Sequence, residues 1–215
     1  PFGTAGTLLL DPTVITISAG ANSANVVPGA NYSFAVAGTP ANINNAGLVA
    51  QLGLANVVVD TLAAVDGGAP LGTGTLTVSA PISWNTANSL TLNADSSIFV
   101  NSPITATNGG SLSLNAFDSI FIASNISCTN GSVSAIAMGN NIFVGSSTAT
   151  PSNITTTGPG TILLQAENNV IAAASPVAGG TCNISSATGN VTLKATVGSI
   201  SLGSLTSRDV THVSS

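Results

Sequence analysis

The feature that most constrains this chain is a repeat. SLTLNADSSIFVNSPITATNGG (89–110) is followed at once by SLSLNAFDSIFIASNISCTNGS (111–132), a near-copy of the same length. The series extends both ways: Leu76, Ile98, Ile120 and Ile142 are 22 residues apart, and Val170 and Ile200 follow after 28 and 30. Val78, Val100, Ile122 and Val144 form a second series. Ile82, Ile104, Ile126, Ile154 and Ile184 form a third, each followed closely by Asn or Gly. Self-similarity at a fixed period of this size marks a solenoid, in which equivalent positions stack.

Within each repeat the apolar residues alternate, as in Leu90, Leu92, Ala94 and Leu112, Leu114, Ala116, which is the period of a strand. Gly, Asn, Asp and Ser punctuate the segments and predict two or three short strands per repeat. A chain wound as a right-handed parallel β-helix of about 22-residue coils satisfies both periods, each coil rising about 4.8 Å on the last. The longer steps then predict insertions at SSTATPSN (146–153) and SPVAGGTCN (175–183). Residues 76–215 read as six regular coils, about 29 Å along the axis, and residues 1–75 as three less regular coils with a cap-like segment, all one continuous domain. No stretch reads as a helix.

Composition agrees. Only 4% of residues are charged, 44% are hydrophobic, and Ser and Thr make up about a quarter. Stacked repeats set like charges against each other, whereas Ser, Thr and Asn can hydrogen-bond from coil to coil. A net charge of −5 with positive mean hydropathy is not the profile of a disordered chain. Lys194 and Arg208 are the two basic side chains, too few for a nucleic-acid-binding patch. No apolar run reaches the roughly 20 residues of a membrane-spanning helix. The chain begins Pro-Phe-Gly without a Met or a charged leader, as expected of a processed chain or a section of a longer one.

GTLLLDPTVITIS (6–18), INNAGLVAQLGLANVVVDT (43–61) and GTLTVSAPISWNTANSLTLNADSSIFVNSPITATNGG (74–110) resemble the haemagglutinin-like β-helical region of filamentous-haemagglutinin, two-partner-secretion type exoproteins of Gram-negative bacteria. The LLLDP-ITIS run, Ile82-Ser83-Trp84 and the LTLNA strand start carry the likeness. It implies a secreted or surface-displayed β-helix acting as shaft or adhesive stalk, with no catalytic residues and no cofactor. An Asn-Pro-Asn secretion motif is not found in this sequence.

Candidate chemistry is sparse. Asp95 and Asp118, 23 residues apart, fall at neighbouring turns and are the carboxylate pair that adjacent coils bring nearest. With Asn115 they offer oxygens suited to Ca²⁺, although Asp-Ser is equally ordinary turn chemistry. His212, beside Asp209 in a Ser-rich tail, is an accident of composition rather than a triad. Cys128 and Cys182 are two coils apart, about 9.6 Å, beyond disulfide reach, and are expected as free thiols. Six Asn-x-Ser/Thr sequons, at Asn31, Asn125, Asn130, Asn153, Asn183 and Asn190, are what this composition yields by chance.

Phe99, Phe121 and Phe143, with Ile171 next, lie between inward residues and so point outward in one stack. Such a ladder calls for cover, from a segment such as YSFAV (32–36), an insertion, another copy or a partner. The expected function is therefore an extracellular structural protein, a bacterial surface shaft or filament subunit self-associating head to tail through its coil ends and laterally through the Phe ladder. The alternative is an adhesin or carbohydrate-binding rod contacting host surfaces or glycans through Trp84 or Tyr32. A polysaccharide-active enzyme is disfavoured by the few carboxylates. An ice-binding face would need a regular Thr-x-Thr array, and since TGTLT and TTT do not recur on one face, thermal hysteresis is expected to be absent.

Overall fold

The computed structural model describes residues 6–9, 14–23, 26–27, 33–34, 40–61, 74–145, 152–172, 182–202, 205–206 and 210–214. Tyr32, Arg208 and most of both expected insertions lie outside these residues. The chain winds through three parallel sheets of eight, eight and six strands, and each coil gives one strand to each sheet in turn. Leu90–Ala94, Ile98–Val100 and Ile104–Ala106 form one such coil; Leu112–Ala116, Ile120–Ile122 and Ile126–Thr129 form the next. This is a parallel β-helix.

Register follows the sequence period without slippage. Leu76, Ile98, Ile120, Ile142, Val170 and Ile200 are successive Cα partners in the second sheet, and Ile15 extends the column below Leu76. Ile82, Ile104, Ile126, Ile154 and Ile184 do the same in the third. Strand after strand alternates buried and half-buried positions, so the inner residues of all three sheets merge into one core running from Ile15 to Leu193. Each fully buried Leu or Ile contributes about 1.5–3 kcal/mol, and this column is what holds the coils together.

The coil closes on the first sheet through a corner that only glycine fits. Gly110, Gly131, Gly160 and Gly189 stack there, and a Cβ on Gly131 would fall on the carbonyl oxygen of Gly110, as one on Gly160 would on that of Gly131. Just before this corner the backbone is left-handed, with φ of 81° at Gly109 and 60° at Asn130, each one residue ahead of the stacked glycine, and 66° at Gly158, two residues ahead of Gly160. Asn is the non-glycine residue that best tolerates this region.

The N-terminal end departs from the expected coils. Among the described residues, its strands in the first sheet are Gly6–Leu9 and Val57–Asp60. Ala41–Asn44 doubles back to pair with the far side of Val14–Ser18. A helix, Asn45–Leu52, then occupies the place where a strand of the third sheet would lie, packed against Ile82–Trp84. Asn44 caps it by accepting from the Gly47 N–H at 3.0 Å, and Leu48 and Leu52 face inward, fully buried. The Leu52 carbonyl accepts from the Thr86 hydroxyl at 2.6 Å and the Asn88 amide at 2.8 Å, and Asn45 donates to the Pro81 carbonyl at 2.7 Å. Absence of charge concealed this helix in the sequence, where AGLVAQLGLANVVV reads as one apolar run.

Gly131→Ala forces a methyl against backbone that cannot yield, and is expected to destabilise the fold by about 2–4 kcal/mol in urea unfolding. Ala substitution at exposed Gly139 is not a matched control, because its Cβ also meets backbone at Phe117; Ala87→Gly, at an exposed turn position beside Gly109, is expected to cost under about 1 kcal/mol.

Candidate interaction surfaces

The outward column of the second sheet is the apolar one. Phe99, Phe121, Phe143 and Ile171 are consecutive Cα partners, flanked in the same column by Thr77 below and Ser201 above. Neighbouring rings are parallel, with centroids 4.9 and 5.1 Å apart and interplanar angles of 4° and 7°. The coil rise thus sets an offset stack, in which each ring covers part of the next and all are half-buried. Because the ring faces meet one another, the column presents mainly edges outward, which suits apolar contact better than the face-on stacking that sugars use.

A second apolar feature was missed in the sequence. Phe117 and Met138 follow the paired Ala116 and Ala137 at the corner between the first and second sheets, and both are exposed, at 42% and 54%. Their signal is the apolar letter after NA in LNAFDS and after IA in SAIAMGN, which breaks the polar pattern of that turn.

Asp95 lies at this corner too and is 5% exposed; its N–H donates to the Thr61 hydroxyl at 2.9 Å. Asp118 is half-buried, accepting from the Ser97 hydroxyl at 3.3 Å and the Ser119 hydroxyl at 3.4 Å, while its N–H donates to the Ser96 carbonyl. Asn115 is engaged elsewhere, its amide donating to Asn93 Oδ1 at 2.9 Å. Among the described residues no group of three or more His, Cys, Asp or Glu side chains is placed to hold a metal ion. Asp60, Asn93 and Asn115 instead form a polar ladder on the outer face of the first sheet, and Asn141, Asn169 and Ser199 form another at the turn into the second sheet.

Trp84 is not a surface residue. It is 3% exposed in the inner column of the third sheet, below Ala106, Cys128, Thr156 and Ser186, and its Nε1 donates to the Asn88 carbonyl at 2.8 Å. A sugar-binding role through Trp84 is therefore corrected: the ring fills the core where the helix packs beneath the sheet. Cys128 and Cys182 are buried free thiols. Burial raises the Cys128 pKa from 9.0 to about 12 and that of Cys182 to about 11.

The outer face of the third sheet carries two columns of small polar residues. Ser83, Thr105, Ser127, Thr155 and Ser185 are successive partners. Two residues along each strand, Thr129 pairs with Thr157, and the Thr107 hydroxyl donates to Asn85 Oδ1 at 3.1 Å. Strict Thr-x-Thr pairs stand only at Thr105/Thr107 and Thr155/Thr157, so the face carries a continuous Ser/Thr column but not a regular Thr-x-Thr array. Ser–Thr exchange and the 28-residue step before Thr155 disguise that column in the linear chain.

No helix among the described residues is long and apolar enough to cross a membrane. No protein-family model, curated protein or solved structure matches the chain.

Two outcomes follow from these surfaces. Phe121 stacks on both sides and Phe99 on one, so Phe121→Ala should cost about 1 kcal/mol more than Phe99→Ala in urea unfolding; equal losses would mean the stack adds nothing beyond burial. Both thiols bind protons more tightly folded than unfolded, so their contribution to stability is intact below pH 9.0 and lost as pH rises towards 11 and 12. Native thiols should resist a disulfide reagent at pH 8 and react fully in denaturant.

Proposed function

We propose that this chain is a section of an extracellular, non-enzymatic shaft displayed on a bacterial surface, whose work is done by length and by its flanks. The observation that carries this reading is the unbroken coil register: the same inner columns persist through successive coils of all three sheets, so each coil adds about 4.8 Å of rod. Residues 6–18 and 43–131 add their likeness to haemagglutinin-like exoproteins, from which the secreted location is inferred. The polysaccharide-enzyme reading has little support, since Asp95 is buried and Asp118 is tied to two serine hydroxyls.

The two ends are unequal. Ala41–Asn44 and the helix already occupy the N-terminal end, which counts against head-to-tail stacking there. Contacts through a coil end are assigned to the opposite side, where Ile200–Leu202, Leu205–Thr206 and Val210–Ser214 are the last strands of their sheets. Two copies meeting there would form an isologous pair that closes, not a growing fibre. The adhesin alternative is supported by Phe99, Phe121, Phe143 and Ile171, an apolar strip about 14 Å long that suits lateral contact with a host surface or a second copy.

Surface labelling and protease shaving of intact producing cells test the location; a chain found only inside the cell would sink the proposal. Electron microscopy over a concentration series tests the ends. Single rods giving way to paired rods of twice the length are expected, and long fibres of unlimited growth would overturn the assignment of one available end.

A further inference from the structure

We infer that this chain pairs side by side with an antiparallel second copy, through the second sheet and its corner with the first. The pairing rests on the lateral contact assigned above to the Phe column, and it needs neither the cell-surface location nor an available end. A twofold axis across the rod makes a strict demand: the residue on one coil must suit the residue on the coil equally far beyond the axis. Three neighbouring columns meet that demand about one axis, between the coil of Phe121 and that of Phe143.

The outward column of the second sheet reads Thr77, Phe99, Phe121, Phe143, Ile171, Ser201 over six coils, four apolar residues between two hydroxyls. Reversal sets Phe121 on Phe143, Phe99 on Ile171 and Thr77 on Ser201. At the corner, the residues that follow the paired Ala94, Ala116, Ala137 and Ala166 are Asp95, Phe117, Met138 and Glu167. Here reversal sets exposed Phe117 on exposed Met138, a ring on a thioether, while Glu167 comes opposite Asp95, whose side chain is buried in its own copy. The outer column of the first sheet nearest the corner starts at Asp60 and reaches Lys194 five coils later. Reversal sets the carboxylate of one copy against the ammonium of the other at both ends of the contact, and the long lysine stem lets its charge lean round the corner. Lys194 is the one basic side chain among the described residues, and it stands on the coil that this axis pairs with Asp60. An axis on the Phe121 coil would instead set Met138 against Asp95, and one on the Phe143 coil would set Phe117 against Glu167. Either would also separate Lys194 from Asp60.

An unrelated partner gains nothing from columns that match themselves when reversed, whereas an isologous contact requires it. Five coil rises, by the breadth from the Asp60 column across the corner to the Phe column, come to about 24 by 18 Å, roughly 430 Å² per partner. Stable complexes bury about 800 Å² per partner, so this pair is a weak one, with a Kd in the micromolar range.

Sedimentation of the full chain over a concentration series, with cross-linking, tests the pairing. A reversible equilibrium between monomer and dimer is expected. Phe117 and Met138 are exposed, so Phe117→Lys with Met138→Lys should weaken the pair at least tenfold while circular dichroism stays unchanged. Lys194→Asp should weaken it several-fold, and adding Asp60→Lys should restore it, a recovery that damage to the fold does not produce. Thr77→Cys and Ser201→Cys chains treated with a short bismaleimide should link when mixed and not when alone, the native thiols being buried. A chain monomeric at every concentration, a dimer that survives the lysine pair, no recovery on charge exchange, or linkage of Thr77→Cys to itself would each overturn the inference. A dimer that survives the lysine pair is the end-to-end one, twice the length of a rod instead of twice its width, and the shaft reading then stands without the lateral pair.

Discussion

Everything in this molecule depends on the stacking of like residues at the separation of adjacent parallel strands. Two unit charges placed about 4.8 Å apart repel by about 1 kcal/mol in water and about 3.5 kcal/mol at the effective dielectric of a protein surface. Two amides at that distance instead exchange a hydrogen bond with a net gain of about 1 kcal/mol. Repeated over successive coils, that difference excludes charged columns and favours Asn93 on Asn115 and Asn141 on Asn169. The same closeness explains the glycine corner, where one coil's carbonyl occupies the volume that the next coil's Cβ would need. Low charge, amide ladders and stacked glycines are one constraint expressed at three kinds of position.

Where that constraint acts directly, the fold was legible from the letters. The spacing of Leu76, Ile98, Ile120 and Ile142 contained the register of the second sheet, and the 28- and 30-residue steps left the flanking ladders in phase. The outward phenylalanine stack followed from alternation alone. Stacking says nothing about the first coil, which has no coil beneath it, and there the reading failed. Asn45–Leu52 is a helix because its Leu48 and Leu52 must cover the bottom of the core while its polar groups satisfy Pro81, Thr86 and Asn88. Trp84 was mistaken for a surface ring for the same reason: it sits on the lowest strand of the third sheet, over that helix, and fills space that Ala106 does not need to fill one coil higher.

The candidate surfaces were less legible than the core, and the cause is chemical. An inner position accepts a narrow range of sizes, so its period stays visible as Ile, Leu or Val. An outer position accepts any residue that can face water, so Ser and Thr exchange freely. Ser83, Thr105, Ser127, Thr155 and Ser185 form a column in space without forming a motif in sequence. Phe117 and Met138 illustrate the converse, since corner residues have no alternation to mark them and only their exposure in three dimensions identifies them.

A rod built this way divides its labour by direction. Along the axis, repetition supplies length, and the filled N-terminal end limits where another coil can add. Around the axis, the three sheets share one core but need not share an exterior, because each outward column is free of packing constraints. One flank has a central apolar column, one carries amides with its few charges, and one has a central column of Ser and Thr hydroxyls. Since every column repeats at the coil rise, a single favourable outward residue becomes an ordered row once it is kept through successive coils. A partner with its own repeat, such as another stacked sheet, then gains with each coil, whereas an irregular partner gains only locally. Function in such a chain is accordingly sought in columns, and the column rather than the residue is the unit that a substitution must break.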